Sequence, residues 1–334
     1  MSSKKNITTI GIIGIGRQGS IHYNVLCNLE QENKVKIVGV CDVNTYLYSK
    51  IKHPFYTDYK KMLSETRPKL VLICVPNYLH YRITMYSLDL KINVIKEKPL
   101  AINLDDATKI IDKATRNKLI VATMQQREYQ SLFIKAKQVI KSLGIPINLY
   151  YQISVDDHKK SWYWDIEKAG GGSWLNIGWH SIAILQWLLG KVSDINLVSN
   201  ANGKRAWSYL TDHSSLATLI FNKKYSGVVF VSCVYPKKEV LKINFNEGQL
   251  ILTKKLLKIR TKNYNKTFIL KQKESIVYKK QMEALLYQIK NGSYNMNKDL
   301  SVMSIIQKGS NYLLKNSRNI KRLFNEDPFN FHKI

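Results

Sequence analysis

Nowhere in its 334 residues does this chain run apolar for long enough to span a bilayer. Met1-Ser2-Ser3-Lys4-Lys5-Asn6 leads straight into a strand-like run, without the apolar region or small-residue cleavage site of a signal peptide. Cysteine is scarce. Cys27, Cys41, Cys74 and Cys233 form no C-x-x-C pair, and Cys41 and Cys74 lie in apolar runs, where they read as small reduced core residues. These absences predict a cytoplasmic protein with no membrane partner and no metal site. Arginine is scarce too, at nine of 52 basic residues. The net charge of +28, set by those 52 against 24 acids, is therefore carried by lysines spread over the whole chain. Nucleic-acid readers need arginine forks and a dense basic element. The charge is read as compositional drift in a chain rich in Lys, Ile, Asn and Tyr, and nucleic acid is not an expected partner. There is no internal repeat and no long linker. With 45% hydrophobic and 10% aromatic residues, the length suffices for two domains with real cores.

What is present begins with Ile7 to Ile15, an apolar strand broken by glycines. Gly14, Gly16 and Gly19 fit G-x-G-x-x-G. The first allows a tight turn, the second lets a pyrophosphate approach the backbone, and the third lets the next helix pack against the strand. That helix, roughly 20–29, would point its N–H groups at phosphates. A second strand, Val35 to Asp42, ends in an acid slightly more than 20 residues past the glycines. Such an acid accepts bonds from ribose hydroxyls and repels a 2′-phosphate, which favours NAD over NADP. Asp42 also suits the start of a turn before Val43-Asn44, and Arg17 keeps NADP open. Further strands are read at Leu70–Asn77, Ile92–Ile95 and Leu119–Met124, with helices near 58–64 and 80–90 and one N-capped by Asn103. Continuous apolar runs alternating with helices predict a doubly wound, right-handed parallel sheet. The reading gives a Rossmann domain over residues 1–125 and a substrate and oligomerisation domain over 126–334.

In the second domain, strands at 147–155, 195–201, 216–221, 228–235, 240–245 and 249–253 follow one another with few helices between, which argues for an antiparallel sheet. Helices near 129–142, 174–189, 276–290 and 300–315 would cover one face in an α+β layer. The other face needs a cover, so a homo-oligomer, dimer or tetramer, is expected through it. Two local features carry chemistry. Lys96-Glu97-Lys98-Pro99 closes the fourth main strand; the proline biases Lys98 to an extended conformation, and strand ends are where ligands bind in open α/β sheets. A charged loop closing a strand is the plainer reading. Gly170-Gly171-Gly172 precedes a helix on which Asn176 and His180 share a face at i, i+4. His180 is either a proton shuttle or a satisfied core histidine.

Together these motifs resemble the glucose–fructose oxidoreductase/inositol dehydrogenase (Gfo/Idh/MocA) family over nearly the whole chain. The resemblance rests on the three glycines, Asp42, Pro76-Asn77 with His80, Glu97-Lys98-Pro99, and residues 170–190. It implies an NAD(P)-dependent oxidoreductase moving a hydride between a nicotinamide and a hydroxyl or keto group of a small-molecule sugar or sugar derivative. By resemblance, Lys98 polarises the reacting oxygen and His180 exchanges the hydroxyl proton. Gly14, Gly16, Arg17, Gln18, Gly19, Asp42, Pro76, Asn77, His80, Glu97 and Lys98 are placed at the cofactor. Asn176, Trp162 and Tyr163 are placed at the substrate; the two aromatics would stack on a sugar face or pack against the sheet. Many members carry D-x-G-x-H-x-x-D, where this chain has Asn176 and Ala183 in place of the acids. The N-x-G-x-H form resembles a subset acting on nucleotide-linked amino sugars. Without an aspartate nearby, His180 should be a weaker base. Trp162-Tyr163-Trp164 stands where members often have W-R, which removes an anion contact expected from that loop. A non-catalytic cofactor-binding regulator and an NAD-dependent glycosidase are the alternatives.

Overall fold

A computed structural model describes residues 7–156, 165–200 and 211–323. Six parallel strands form the first sheet: β1 (Thr8–Ile13), β2 (Val35–Cys41), β3 (Phe55–Tyr56), β4 (Leu70–Ile73), β5 (Asn93–Lys96) and β6 (Val121–Thr123), in the order β3-β2-β1-β4-β5-β6. Helices α1 (Arg17–Gln31), α2 (Tyr59–Thr66), α3 (His80–Asp89) and α4 (Leu104–Arg116) connect them. This is the doubly wound sheet the strand–helix alternation predicts. All four residues of β4 are buried, as befits a strand covered on both faces. Asn103 caps α4 as expected, its Oδ1 accepting the Asp106 N–H at 2.8 Å. The two-residue β3 was not expected from the sequence.

The second sheet has eight strands: β7 (Pro146–Asp156), β8 (Val192–Asn200), β9 (Ser214–Phe221), β10 (Tyr225–Ser232), β11 (Val234–Phe245), β12 (Gly248–Thr253), β13 (Leu256–Thr261) and β14 (Asn265–Ile269). Their order is β14-β13-β12-β11-β7-β10-β9-β8, antiparallel except for β7 beside β10. One face is covered by α5 (Ser131–Ile140), α7 (Trp179–Leu189) and α9 (Met296–Leu323). The opposite face leaves Tyr150 exposed on β7, Leu216 and Ile220 on β9, and Val198 on β8. Of the remaining helices, α6 (Ile166–Ala169) is a single turn, and α8 (Glu274–Lys290) returns to the first sheet. There Tyr278, Met282 and Leu285, with Tyr294 just beyond α8, share a core with Ile10, Leu26 and Leu72. A second core runs unbroken from β4 and β5 into the second sheet, so the two layers meet through packed side chains. Among the described residues no helix is long and apolar enough to cross a membrane.

Candidate active site

The glycine turn is held by its neighbours. Gly14 has φ +91°, donates its N–H to Cys41 O at 2.8 Å, and has no room for a Cβ, which would lie 2.4 Å from Cys74 O. A Cβ on Gly19 would sit 2.0 Å from Gly14 O, so α1 presses against the turn there. Gly16 differs: nothing lies within 4 Å of its would-be Cβ. The first turn of α1 follows directly and has no side-chain cap, leaving its N–H groups for an anion. Asp42 Oδ2 accepts the Ile15 N–H at 2.6 Å and Oδ1 the Asn44 N–H at 2.8 Å. The carboxylate thus ties the end of β2 to the glycine turn, with a further lone pair on each oxygen for hydroxyl donors.

Three buried polar groups brace the turn that carries Lys98. Glu97 accepts from His22 Nε2 at 2.9 Å and from the Lys98 N–H at 3.3 Å. Burial alone would raise the Glu97 carboxyl, but the His22 hydrogen bond and the Lys98 charge bring it below its ordinary value. Lys96, fully buried, donates its Nζ to Leu100 O at 2.6 Å, and burial pushes its ammonium down to about 7. His80 lies beneath the turn with Nδ1 2.9 Å from Pro99 O and Nε2 3.0 Å from Val75 O. Burial and the Lys96 charge push it down to about 3, so the ring is neutral and donates to one of the two carbonyls at a time. The expected cofactor contact from His80 is not what the geometry shows: the residue is fully buried and faces backbone, not the cavity. The Lys98–Pro99 bond is cis. Lys98 Nζ reaches across to the second half of the chain and donates to Asn176 O at 3.1 Å.

Asn176 belongs to a helix whose start is fixed by Asp212. That carboxylate accepts the Gly172 N–H at 3.0 Å, the Trp174 N–H at 2.8 Å, the Ser173 hydroxyl at 2.5 Å and the Ser215 hydroxyl at 2.7 Å. Residues Trp174–Gly178 form a π-helical turn before α7, where the spacing predicts an ordinary α-helix. Such wide turns concentrate at functional sites. The Asn176 amide is oriented on both sides: Nδ2 donates to Gly172 O at 3.2 Å, and Oδ1 accepts from Asn77 Nδ2 at 3.3 Å. His180 follows one turn on. Burial, then the charges of Arg127 and Lys98, hold its imidazole well below the usual histidine range, so it is a neutral base. Ala183 is buried in the core and supplies no counter-charge.

These groups converge on one cavity of about 780 Å³. From the first sheet, Gly14, Gly16, Arg17, Gln18 and Asp42 line one end, and Pro76, Asn77, Glu97 and Lys98 continue toward the other. Asn176 and His180 close it from the second half. Gly19 and His80 do not reach the cavity; both act through packing beneath it. Trp162 and Tyr163 lie outside the described residues. Sequence reasoning missed Arg127, Arg82 and Lys237, which line the cavity, and Asp212, which does not. Arg127 had a signal, since it follows β6 at the same edge as Lys98; Lys237 had none in so lysine-rich a chain.

Comparison with known proteins agrees with this architecture. Residues 8–125 match the oxidoreductase family model with an NAD-binding Rossmann fold, and residues 133–251 match the GFO/IDH/MocA C-terminal domain. The inositol 2-dehydrogenase of Salmonella typhimurium is 27% identical over 251 residues, covering 67% of this chain and 68% of that one. The D-glucoside 3-dehydrogenase of Escherichia coli is 23% identical over 205 residues, 54% of each chain. A levoglucosan dehydrogenase solved with NADH and levoglucosan superposes with a TM-score of 0.83 at 16% identity, covering 92% of this chain and 97% of that one, a likeness of fold. Two matched domain models, joined by a cavity built from the glycine turn and the Lys98 turn, establish that this chain belongs to the Gfo/Idh/MocA family of NAD(P)-dependent oxidoreductases.

Proposed function

We propose that this protein binds NAD along the glycine turn and interconverts a secondary hydroxyl and a ketone on a sugar derivative, a nucleotide-linked sugar being the favoured class. The carrying observation is the Lys98 Nζ bond to Asn176 O, which joins the two halves of the chain in the cavity that also holds His180. The uncapped N–H groups of α1, the open space at Gly16 and the Asp42 carboxylate suit a dinucleotide's pyrophosphate and ribose. A dinucleotide held there by the glycine turn and Asp42 would supply the hydride acceptor or donor. In the oxidative direction the substrate carbon gives up a hydride, and its hydroxyl proton passes to the neutral His180 imidazole. The Lys98 ammonium stabilises the negative charge developing on oxygen as the carbonyl forms. Asn176, its amide fixed by Gly172 and Asn77, orients the sugar. The apolar open face of the second sheet, with Tyr150, Leu216 and Ile220, is the surface through which copies of the chain associate as a dimer or tetramer.

The test is thermal unfolding with each dinucleotide, followed by a 340 nm screen over sugars, inositols and nucleotide-sugars. NAD at about 100 times its dissociation constant should stabilise the fold by roughly 2.7 kcal/mol. Lys98→Ala should abolish turnover and keep that stabilisation. A protein stabilised by neither dinucleotide would sink the proposal, and a larger effect of NADP would overturn the role given to Asp42.

A further inference from the structure

Among the described residues, the charged side chains lining the substrate end of the cavity are cationic, with the Glu239 carboxylate paired to Arg127 behind the wall. That wall includes Lys98, Arg127 and Lys237, with Ile153, Val155 and Ile177 between them. The acids that line the cavity belong elsewhere. Asp42 and Asp58 follow β2 and β3, while Lys98 follows β5. In the order β3-β2-β1-β4-β5-β6, β2 and β5 are three strand spacings apart, roughly 14 Å. Glu97 is committed to His22 and the Lys98 backbone.

Arg127 is built to present its fork. Its Nε donates to Glu239 Oε1 at 2.7 Å, and the Tyr151 hydroxyl donates to the same oxygen at 2.8 Å. This brace fixes the plane of the guanidinium. It sets the guanidinium, which also meets the Tyr151 hydroxyl, at the wall of the cavity. Lys237 lies in the irregular stretch of β11 between Val234 and Lys238, where the register against β7 shifts. Pro236 O accepts the Ser154 hydroxyl at 2.7 Å, which holds that stretch against β7. Lys237 is exposed and part of the cavity wall.

We propose that the substrate is an anionic sugar, whose carboxylate or phosphate docks on the Arg127 guanidinium and on Lys237. A guanidinium fork matches either group bidentately, and a lysine adds a point charge. Apolar walls strengthen both attractions. A neutral sugar would leave these cations facing uncharged hydroxyls. This inference rests on the proposed reading of the cavity as a substrate site.

The experiment uses NAD-saturated protein and three probes that share a ring: glucose, glucuronate and glucose 6-phosphate. Unfolding temperature is read for each, and the 340 nm screen is arranged in similar neutral and acidic sets. An acidic member should stabilise the complex where glucose does not, and should show about tenfold higher kcat/KM than its neutral partner in sets that turn over. Glucuronate and glucose 6-phosphate separate carboxylate from phosphate. Lys237→Ala, at an exposed position, should raise KM for the acid about tenfold more than for its neutral partner, with kcat held. The acid preference should also weaken in 0.5 M salt. Neutral members that bind and turn over as well as acidic ones would overturn the proposal. So would Lys237→Ala affecting both alike, or NAD-bound protein that responds to no acid. Failure to bind NAD at all would instead refute the function proposed above.

Discussion

Replacing Lys96 by methionine should make this protein more stable at neutral pH and remove a pH dependence. The Lys96 ammonium is fully buried at the end of β5, and burial pushes it from 10.5 to about 7. Asp299 on α9 acts on it as an opposing charge, and Lys96 in turn bears on the buried His80. Because the folded value lies below the unfolded one, the folded protein holds fewer protons between pH 7 and 10.5. Stability therefore rises with pH across that window, and the full penalty stands below it. A difference of about 3.5 units, at about 1.4 kcal/mol each, sets a ceiling near 5 kcal/mol. The lost bond to Leu100 O costs about 1 kcal/mol. The variant should be about 3–4 kcal/mol more stable at pH 7, an advantage that shrinks nearly to nothing by about pH 10. Urea unfolding of both proteins at the two pH values measures this. The difference between them cancels shared titrations such as those of the buried phenols Tyr151 and Tyr294. A variant less stable than the parent at pH 7, or an offset independent of pH, would refute the reasoning.

Two contrasts probe the site itself. Gly16→Ala should leave unfolding of the free protein nearly unchanged, because no atom lies near the new methyl, yet abolish stabilisation by NAD. Gly19→Ala, whose Cβ would fall 2.0 Å from Gly14 O, should cost stability as well; equal behaviour of the two would contradict the division of labour in the turn. Asp212→Ala removes the acceptor of four hydrogen bonds at the start of the His180 helix and should cost about 2 kcal/mol, with a larger proportional loss in kcat than in KM. Chemical denaturation and steady-state kinetics would check it, and an unchanged kcat would show that the cap does not position His180.

Much of this architecture was legible because its causes are local. The glycine turn needs a residue at positive φ and close packing, and only glycine supplies both, so the motif is readable without the fold. The central strand β4 is apolar throughout because helices bury both of its faces. Lys98 and His180 stood out because each follows a backbone signal, a strand end or a glycine-led helix start. What escaped was set by distant partners. Asp212 caps a helix nearly forty residues upstream of itself. His80 carried the right polarity and neighbourhood, but sequence does not tell the underside of a turn from its ligand side. The β14 edge strand has no fully buried residue and hence no periodic signal. β13 does alternate, with Leu257 and Ile259 buried, but Lys258 and Arg260 masked the pattern.

The return of α8 and the start of α9 to the first sheet has a consequence for how the protein is made. Tyr278, Met282 and Leu285 cover apolar surface on a sheet synthesised long before them. A ribosome adding roughly 5–20 residues per second leaves that surface bare for on the order of ten to thirty seconds. During that interval the nascent chain presents a half-covered parallel sheet to chaperones. Cutting the chain after β6 would make that exposure permanent, so the fragment should aggregate unless residues 274–299 are supplied as a separate peptide.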